Sequence, residues 1–489
     1  MLSHFFLKNI CKHYNKPCIN SFTYAQVFEK MKDHSTLLKQ IGIQPNDRIV
    51  IQSNKKSVDQ VSLMLATWKS RGIIVILPES IHPSILPKIK PSLVMDHNDN
   101  IHVNKKTNVT QIIPSPKNPN DPALILFTSG STADPKGVVL SHSNIISNIT
   151  MLNNLYQTEI TSRDRSYSIL PWYHCYGLVC ELLFLMNKGA SIRLPTNFKN
   201  PIPEMKWHRP TLLFTVPKML EKIYKSAWNS SFTAPFLKYY LFGDRLRMMS
   251  VGGSYCSPHL LAHFQERFRI PIYQGFGMTE TSPMMSLNSP LENWHGSVGK
   301  PLQDVKIMMD PNSGEILTRS PSLMLGYLDS IDDTNTISTT IDLNQGWFGT
   351  GDKGFFNQDG YLFINGRIKH EYKLSNGKYV NPLYIESKIL TSHFISQAVV
   401  FPSDCNSFNV CVVYTESLLS EKEIWKEMLK YCNEARLQNY EIPKRVYQLK
   451  EPMTVENGLL SLKLETKRQE IICRWKNLIS VNKKPNELS

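Results

Sequence analysis

The chain lacks any long hydrophobic run. Across its 489 residues the longest predominantly apolar stretches are residues 73–77 and 178–186. Both fall far short of the roughly 20 residues that a membrane-spanning helix needs. Cysteine is scarce: nine residues, an odd number, with no C-x-x-C spacing. That argues against a zinc site or a disulfide framework and fits a reducing compartment. His259 and His263 stand four apart, but the HLLAH string has no metalloprotease glutamate. Internal repeats and low-complexity tracts are also absent. No acidic residue precedes Glu29. This mildly basic start lacks the long apolar core and cleavage pattern of a secretory signal, and leaves an organellar presequence open.

What is present is ordinary for a soluble globular protein: 41% hydrophobic and 20% charged residues. The length accommodates about three units of ~150 residues. Lys and Arg number 55 against 41 Asp and Glu, a net charge of +14. Such an excess suits anionic partners, and is equally met by a well-solvated surface. No nucleic-acid recognition motif accompanies it. The expected location is cytoplasmic, with loose peripheral membrane contact compatible with the charge.

Hydrophobic periodicity predicts helices over residues 22–42 and 58–71, and short core strands over 48–52, 73–77, 123–127, 168–170, 211–216 and 248–251. Alternation of this kind predicts a layered α/β fold with mostly parallel strands. After about Pro290 the texture changes. Short strands at 304–309, 314–318, 355–357 and 361–364, joined by DPNSG and NQDG turns, predict a small β subdomain near 296–366. Residues 367–373 read as a linker. A final α+β unit follows, with helices at 382–391 and 419–438 and strands near 398–401 and 409–414.

The sharpest local signal is LILFTSGSTADPKGVVLSH, residues 124–142. An apolar strand runs into Thr128, Ser129, Gly130, Ser131 and Thr132, then Lys136 opens a second apolar strand. Hydroxyls, backbone N–H groups and a lysine between two strands suit a polyanion. A Ser/Thr/Gly/Pro loop can equally be only a turn. It is not a P-loop, because Lys136 precedes a strand rather than a helix.

The full string resembles the T-S-G-[ST]-T-G-x-P-K-G signature of the adenylate-forming superfamily, with Ala133 at a position usually occupied by Gly. Six further blocks follow in that family's order: LPWYHCYGL (170–178), SVGGSYCSP (250–258), YQGFGMTETSP (273–283), GWFGTGDKGFFNQDGYLFINGRIK (346–369), KLSNGKYVNPLYIES (373–387) and ENGLLSLKLETKR (456–468). Phe276 stands where the family usually has tyrosine. The last two blocks are most like those of fatty acyl-CoA synthetases. The resemblance implies an AMP-binding adenylation domain over residues 1–367 of layered α/β subdomains plus a small β-barrel, then a small mobile α+β domain over 368–489.

It also implies a two-step ligase. A carboxylate attacks the α-phosphorus of ATP to give an acyl-adenylate and pyrophosphate, and the thiol of CoA then displaces AMP. By resemblance, Thr128, Ser129, Gly130, Ser131, Thr132 and Lys136 hold the phosphates. Glu280, with Thr128, holds Mg²⁺, and Thr279 donates to the α-phosphate. Gly252, Gly253, Phe276 and Gly277 surround adenine, while Asp352 takes the ribose hydroxyls and Arg367 the ribose or a phosphate. Lys463 serves adenylation, His174 sits by the carboxylate, and Lys373 and Gly377 serve the thiol step about a hinge at Lys369. No aspartate immediately precedes the histidine segment to bind an ammonium group, which argues against an amino acid and for a medium- to long-chain fatty acid. Three alternatives stay open: a fatty-acyl-AMP ligase serving an acidic acyl-carrier protein, an aryl or succinylbenzoate-type CoA ligase, and a non-catalytic binding relative.

Overall fold

The computed structural model describes residues 2–79, 85–104, 118–128, 135–197, 201–228, 234–254, 256, 258–331, 337–392, 394–403, 405–415, 419–454, 457–460 and 466–480. The chain divides into two compact units. The first comprises Met1–Ile307, Thr318–Phe348 and Asn357–Leu362; the second comprises Met308–Leu317, Gly349–Phe356 and Phe363–Ser489.

Two large sheets organise the first unit. In one, Arg48–Gln52 pairs in parallel with Ile73–Leu77 and Leu93–Met95, and Ile73–Leu77 pairs in parallel with Pro122–Thr128. The five residues of Ile73–Leu77 are all buried, as expected of a strand covered on both faces. In the other sheet, Pro17–Ile19, Ser191–Arg193, Arg165–Tyr167, Leu212–Thr215, Met248–Val251 and Ile272–Gly277 run parallel in that order.

Helices cover these sheets. Tyr24–Ile41 begins with a Thr23/Gln26 capping box and ends at Gly42 in the left-handed conformation (φ 78°), burying Tyr24, Val27, Met31 and Leu38. Such a cap is worth about 1 kcal/mol. The basic first residues form the amphipathic helix Leu2–Lys12, whose Leu2, Phe6 and Ile10 enter the core.

Two expected strands are corrected. The strand expected at 168–170 lies at Arg165–Tyr167, because the Ser168 carbonyl leaves the ladder to accept from the Lys56 ammonium at 2.7 Å. The expected strand at 355–357 is the tail of a longer one, Phe348–Phe356. The apolar run at 178–186 forms a π-helix, Tyr176–Leu183, that continues as the α-helix Phe184–Lys188. No described helix is long and apolar enough to cross a membrane.

In the second unit, Ile395–Pro402, Asn409–Thr415 and Arg445–Gln448 form a three-stranded sheet. Side chains alternate across it with period two. Ala398, Val400, Cys411 and Val413 face Ile385 and Ile389 of helix Pro382–Ile389 and Ile424, Met428 and Cys432 of helix Glu421–Glu434. Val399, Phe401, Val410 and Val412 face Leu459, Leu460 and Ile471. Thus 367–373 is not a plain linker: it is the end of strand Leu362–Arg367, a single turn at Ile368–His370, and Tyr372–Lys373 paired with Tyr379–Val380.

Candidate active site

The sequence blocks of the first unit lie at the carboxyl ends of strands Pro122–Thr128, Arg165–Tyr167, Met248–Val251 and Ile272–Gly277, where α/β sheets offer their ligand crevice. Thr128 ends one strand and pairs in register with Lys136, which opens the next; the Thr128 hydroxyl donates to the Lys136 carbonyl at 3.5 Å. The Lys136 ammonium lies 4.9 Å from the centroid of the Tyr327 ring. The Tyr327 hydroxyl donates to Glu280 Oε1 at 2.8 Å. Burial and the Glu280 charge push the Tyr327 phenol up, so it stays a donor. Glu280 is buried on the single turn Thr279–Thr281, and its carbonyl accepts from the Met324 amide at 2.8 Å. Lys136 and Glu280 are thus joined through Tyr327, and Thr128 bonds to the Lys136 backbone.

Gly277 sets the approach to that turn. A Cβ there would stand 1.9 Å from the Pro283 carbonyl oxygen, so only glycine fits. Phe276 precedes it, partly buried against the core.

Two other blocks meet at Tyr176. Its hydroxyl donates to Ser250 Oγ at 3.0 Å, and a Cβ on Gly252 would lie 3.5 Å from the Tyr176 ring and 3.7 Å from the Gly275 carbonyl. Gly253 adopts φ 87°, the left-handed region. His174 lies just ahead of the π-helix, edge-on to Tyr173 with ring centroids 4.6 Å apart; its carbonyl accepts from the Leu178 amide.

In the second unit, buried Asp352 accepts from Arg367 Nε at 2.8 Å, while the Arg367 side chain remains half-exposed. Lys373 is exposed, with its ammonium 5.5 Å from the Tyr379 ring centroid. Gly377 makes its turn at φ 83°. Burial and the neighbouring Arg468, Arg367 and Lys369 push the His370 imidazole down to about 4. Ser129, Gly130, Ser131, Thr132 and Lys463 lie outside the described residues. The flanks of Lys463 are described: Leu460 bridges Thr466, and Arg468 forks onto Glu386 at 2.6 and 2.7 Å while donating to the Val400 carbonyl.

Sequence reasoning missed two arrangements. One is Tyr327, a single aromatic outside every block. The other is a buried chain in which Lys56 donates to the Ser168 hydroxyl at 2.9 Å, and the Ser168 and Ser166 hydroxyls donate to the two Glu181 oxygens at 2.7 Å. Burial pushes the Lys56 ammonium down and the Glu181 carboxyl up; each partly restores the other's charge. The one available signal was Glu181 itself, the only charge within residues 178–186. Among the described residues no cluster of three His, Cys, Asp or Glu side chains is placed to hold a metal ion.

Comparison with known proteins places this geometry in context. An oxalate–CoA ligase of Arabidopsis thaliana is 31% identical over 348 residues, covering 67% of this chain and 64% of that protein. Fatty acyl-CoA synthetase A of Dictyostelium discoideum is 29% identical over 447 residues, covering 75% and 64%. The chain therefore spans under two thirds of the length of either relative. A crystal structure of an anthranilate CoA ligase in complex with anthranoyl-AMP shares the fold, with a TM-score of 0.82, 17% identity, and 98% of each chain covered. The family described as AMP-binding enzyme matches residues 79–328. That match takes in just over half the sequence, including Thr128, Lys136, Glu280 and Tyr327, and the chain belongs to the AMP-binding enzyme family.

Proposed function

We propose that the chain is an AMP-forming acid–thiol ligase that activates a medium- to long-chain fatty acid with ATP and passes it to CoA. The observation that carries this reading is the line Thr128–Lys136–Tyr327–Glu280, in which a hydroxyl, an ammonium and a buried carboxylate from distant segments are held together. The first half-reaction brings a carboxylate and a polyphosphate into one site, so positive charge and aligned donors must offset their repulsion.

In this reading Lys136 and Thr128, with Ser129, Gly130, Ser131 and Thr132, bind the β- and γ-phosphates, and Thr279 donates to the α-phosphate. A buried carboxylate oriented by one phenol is a fitting oxygen donor for Mg²⁺, which would lessen phosphate charge when bound. Glu280, assisted by Thr128, takes that role. Gly252, Gly253, Phe276 and Gly277 receive adenine; Asp352 accepts from the ribose hydroxyls and Arg367 binds the ribose or a phosphate. His174 lines the carboxylate pocket and Lys463 donates to the reacting oxygens. The substrate carboxylate oxygen attacks the α-phosphorus, and the bond to the pyrophosphate oxygen breaks. In the second step the thiol sulfur attacks the acyl carbonyl and AMP leaves. Residues 368–489 act as the mobile C-terminal domain, hinged at Lys369, with Lys373 and Gly377 serving the thiol.

The test is pyrophosphate release with ATP and Mg²⁺ across a panel of carboxylic acids, with and without CoA. The reading expects release that depends on a fatty acid, with acyl-CoA formed only when CoA is present. Preference for oxalate or an aryl acid would reassign the substrate. Adenylate that passes only to carrier-protein pantetheine would reassign the acceptor. Silence across the panel would leave a non-catalytic binding relative.

A further inference from the structure

Helix Ala234–Phe242 is apolar on two faces. Leu237, Leu241 and Phe242 point into the core, as the inner face of a surface helix should. The outer face should then be polar. Instead Phe236, Tyr239 and Tyr240 are exposed, and their i, i+3, i+4 spacing puts them on one side of the helix. The neighbouring helix Ile202–His208 extends the patch with Trp207, which is 75% exposed.

A single cation ties the two helices together. The Lys206 ammonium lies 5.0 Å from the Trp207 ring centroid and 4.2 Å from that of Tyr240. Lys238 stands on the same helix as the exposed rings. The surrounding segment, residues 201–247, carries eight Lys and Arg against three Asp and Glu. All three acids are engaged locally: Asp244 accepts from Arg209 Nε at 2.6 Å, Glu204 accepts from the Thr196 amide at 2.9 Å, and Glu221 accepts from Lys218 Nζ at 3.0 Å. The patch therefore pairs large amphipathic rings with a net positive rim.

We propose that this aromatic face, Trp207 with Phe236, Tyr239 and Tyr240 rimmed by Lys206 and Lys238, docks on an anionic phospholipid surface. Trp and Tyr rings settle at the headgroup level, where their apolar bodies and polar tips are both accommodated. Lysine stems lie along apolar surface while their ammonium groups reach lipid phosphates, and an anionic leaflet attracts them within a Debye length. A second copy of the chain fits less well, because a two-fold contact would set two basic rims against each other. This inference stands whether or not the ligase reading holds.

Co-sedimentation of the full chain with vesicles tests it. Vesicles of phosphatidylcholine with about one third phosphatidylserine should bind the protein roughly tenfold more tightly than phosphatidylcholine alone. Trp207→Ser with Tyr240→Ser, and separately Lys206→Glu with Lys238→Glu, should each lose most of that binding while the chain stays folded with a single cooperative melting transition. Leu291→Ser, at an exposed leucine outside the patch, should retain it. Equal binding to both vesicle types, or full retention by the patch variants, would overturn the proposal. A dimer in sedimentation velocity that the same substitutions dissolve would also overturn it, assigning the face to a second copy.

Discussion

Each unit buries a cation near a carboxylate, and the two arrangements are built differently. In the second unit Arg468 meets Glu386 directly, fork to carboxylate, with both side chains about nine-tenths buried. In the first, Lys56 reaches Glu181 only through Ser168. The chemistry of the two cations explains the contrast. Guanidinium is planar, stays charged, and matches a carboxylate with two parallel bonds; ammonium is compact and can give up its proton when buried. The Arg468 pair is thus a fixed clamp. It ties the segment just after residues 461–465 to helix Pro382–Ile389 and, through the Val400 carbonyl, to the edge strand Ile395–Pro402. The Lys56 chain is a relay of hydroxyls beneath the segment that leads to His174, with the Lys56 ammonium 5.6 Å from the Trp172 ring centroid.

The larger loss is expected at the clamp. Arg468→Met leaves Glu386 buried with its charge, a change that costs about 3–5 kcal/mol. Peptide-level hydrogen exchange should show lost protection in Ile395–Pro402 and Asn409–Thr415. Lys56→Met should cost less, about 1–3 kcal/mol, because Glu181, already pushed up by burial, can take a proton. Denaturant unfolding ranks the two variants; equal losses would dissolve the distinction. Replacing both partners, Lys56→Met with Glu181→Leu, should recover part of the single-variant loss, since matched apolar groups carry no desolvation penalty.

How far the sequence foretold this follows from the range of the interactions. Strands Arg48–Gln52, Ile73–Leu77 and Met248–Val251 were legible because a short apolar run between polar turns specifies a buried strand locally. The seven blocks were legible because each keeps its residues close together. Lys56 with Glu181, Glu386 with Arg468, and Tyr327 with Glu280 join residues far apart in the chain. No local pattern encodes them; tertiary packing does. The same limit hid the outward aromatic face of Ala234–Phe242, whose inner leucines gave the helix its apolar character but not its orientation.

Smaller effects sharpen the contrast further. His142 in the first unit and His370 in the second are each pushed down to about 4, chiefly by burial. A lowered folded value means that the unfolded chain binds the proton first. The stability these groups contribute is therefore full above about 6.5 and is lost as pH falls from there to about 4. Three neighbouring cations also depress His370, so added salt should raise its titration midpoint more than that of His142. An NMR titration at two ionic strengths checks this, and equal shifts would contradict it. Smallest of all is Tyr327→Phe, which removes one hydrogen bond to Glu280. It should weaken MgATP binding by about tenfold at most, measured by calorimetry, with folding intact.

The ligase proposed above activates one carboxylate and transfers it in two separable steps. The most direct measurement is Lys463→Ala assayed in both halves. Adenylation should fall by ~10²–10³, the scale for losing one transition-state donor, while thioester formation from supplied acyl-adenylate should persist. Equal collapse of both halves, or adenylation left untouched, would contradict the account.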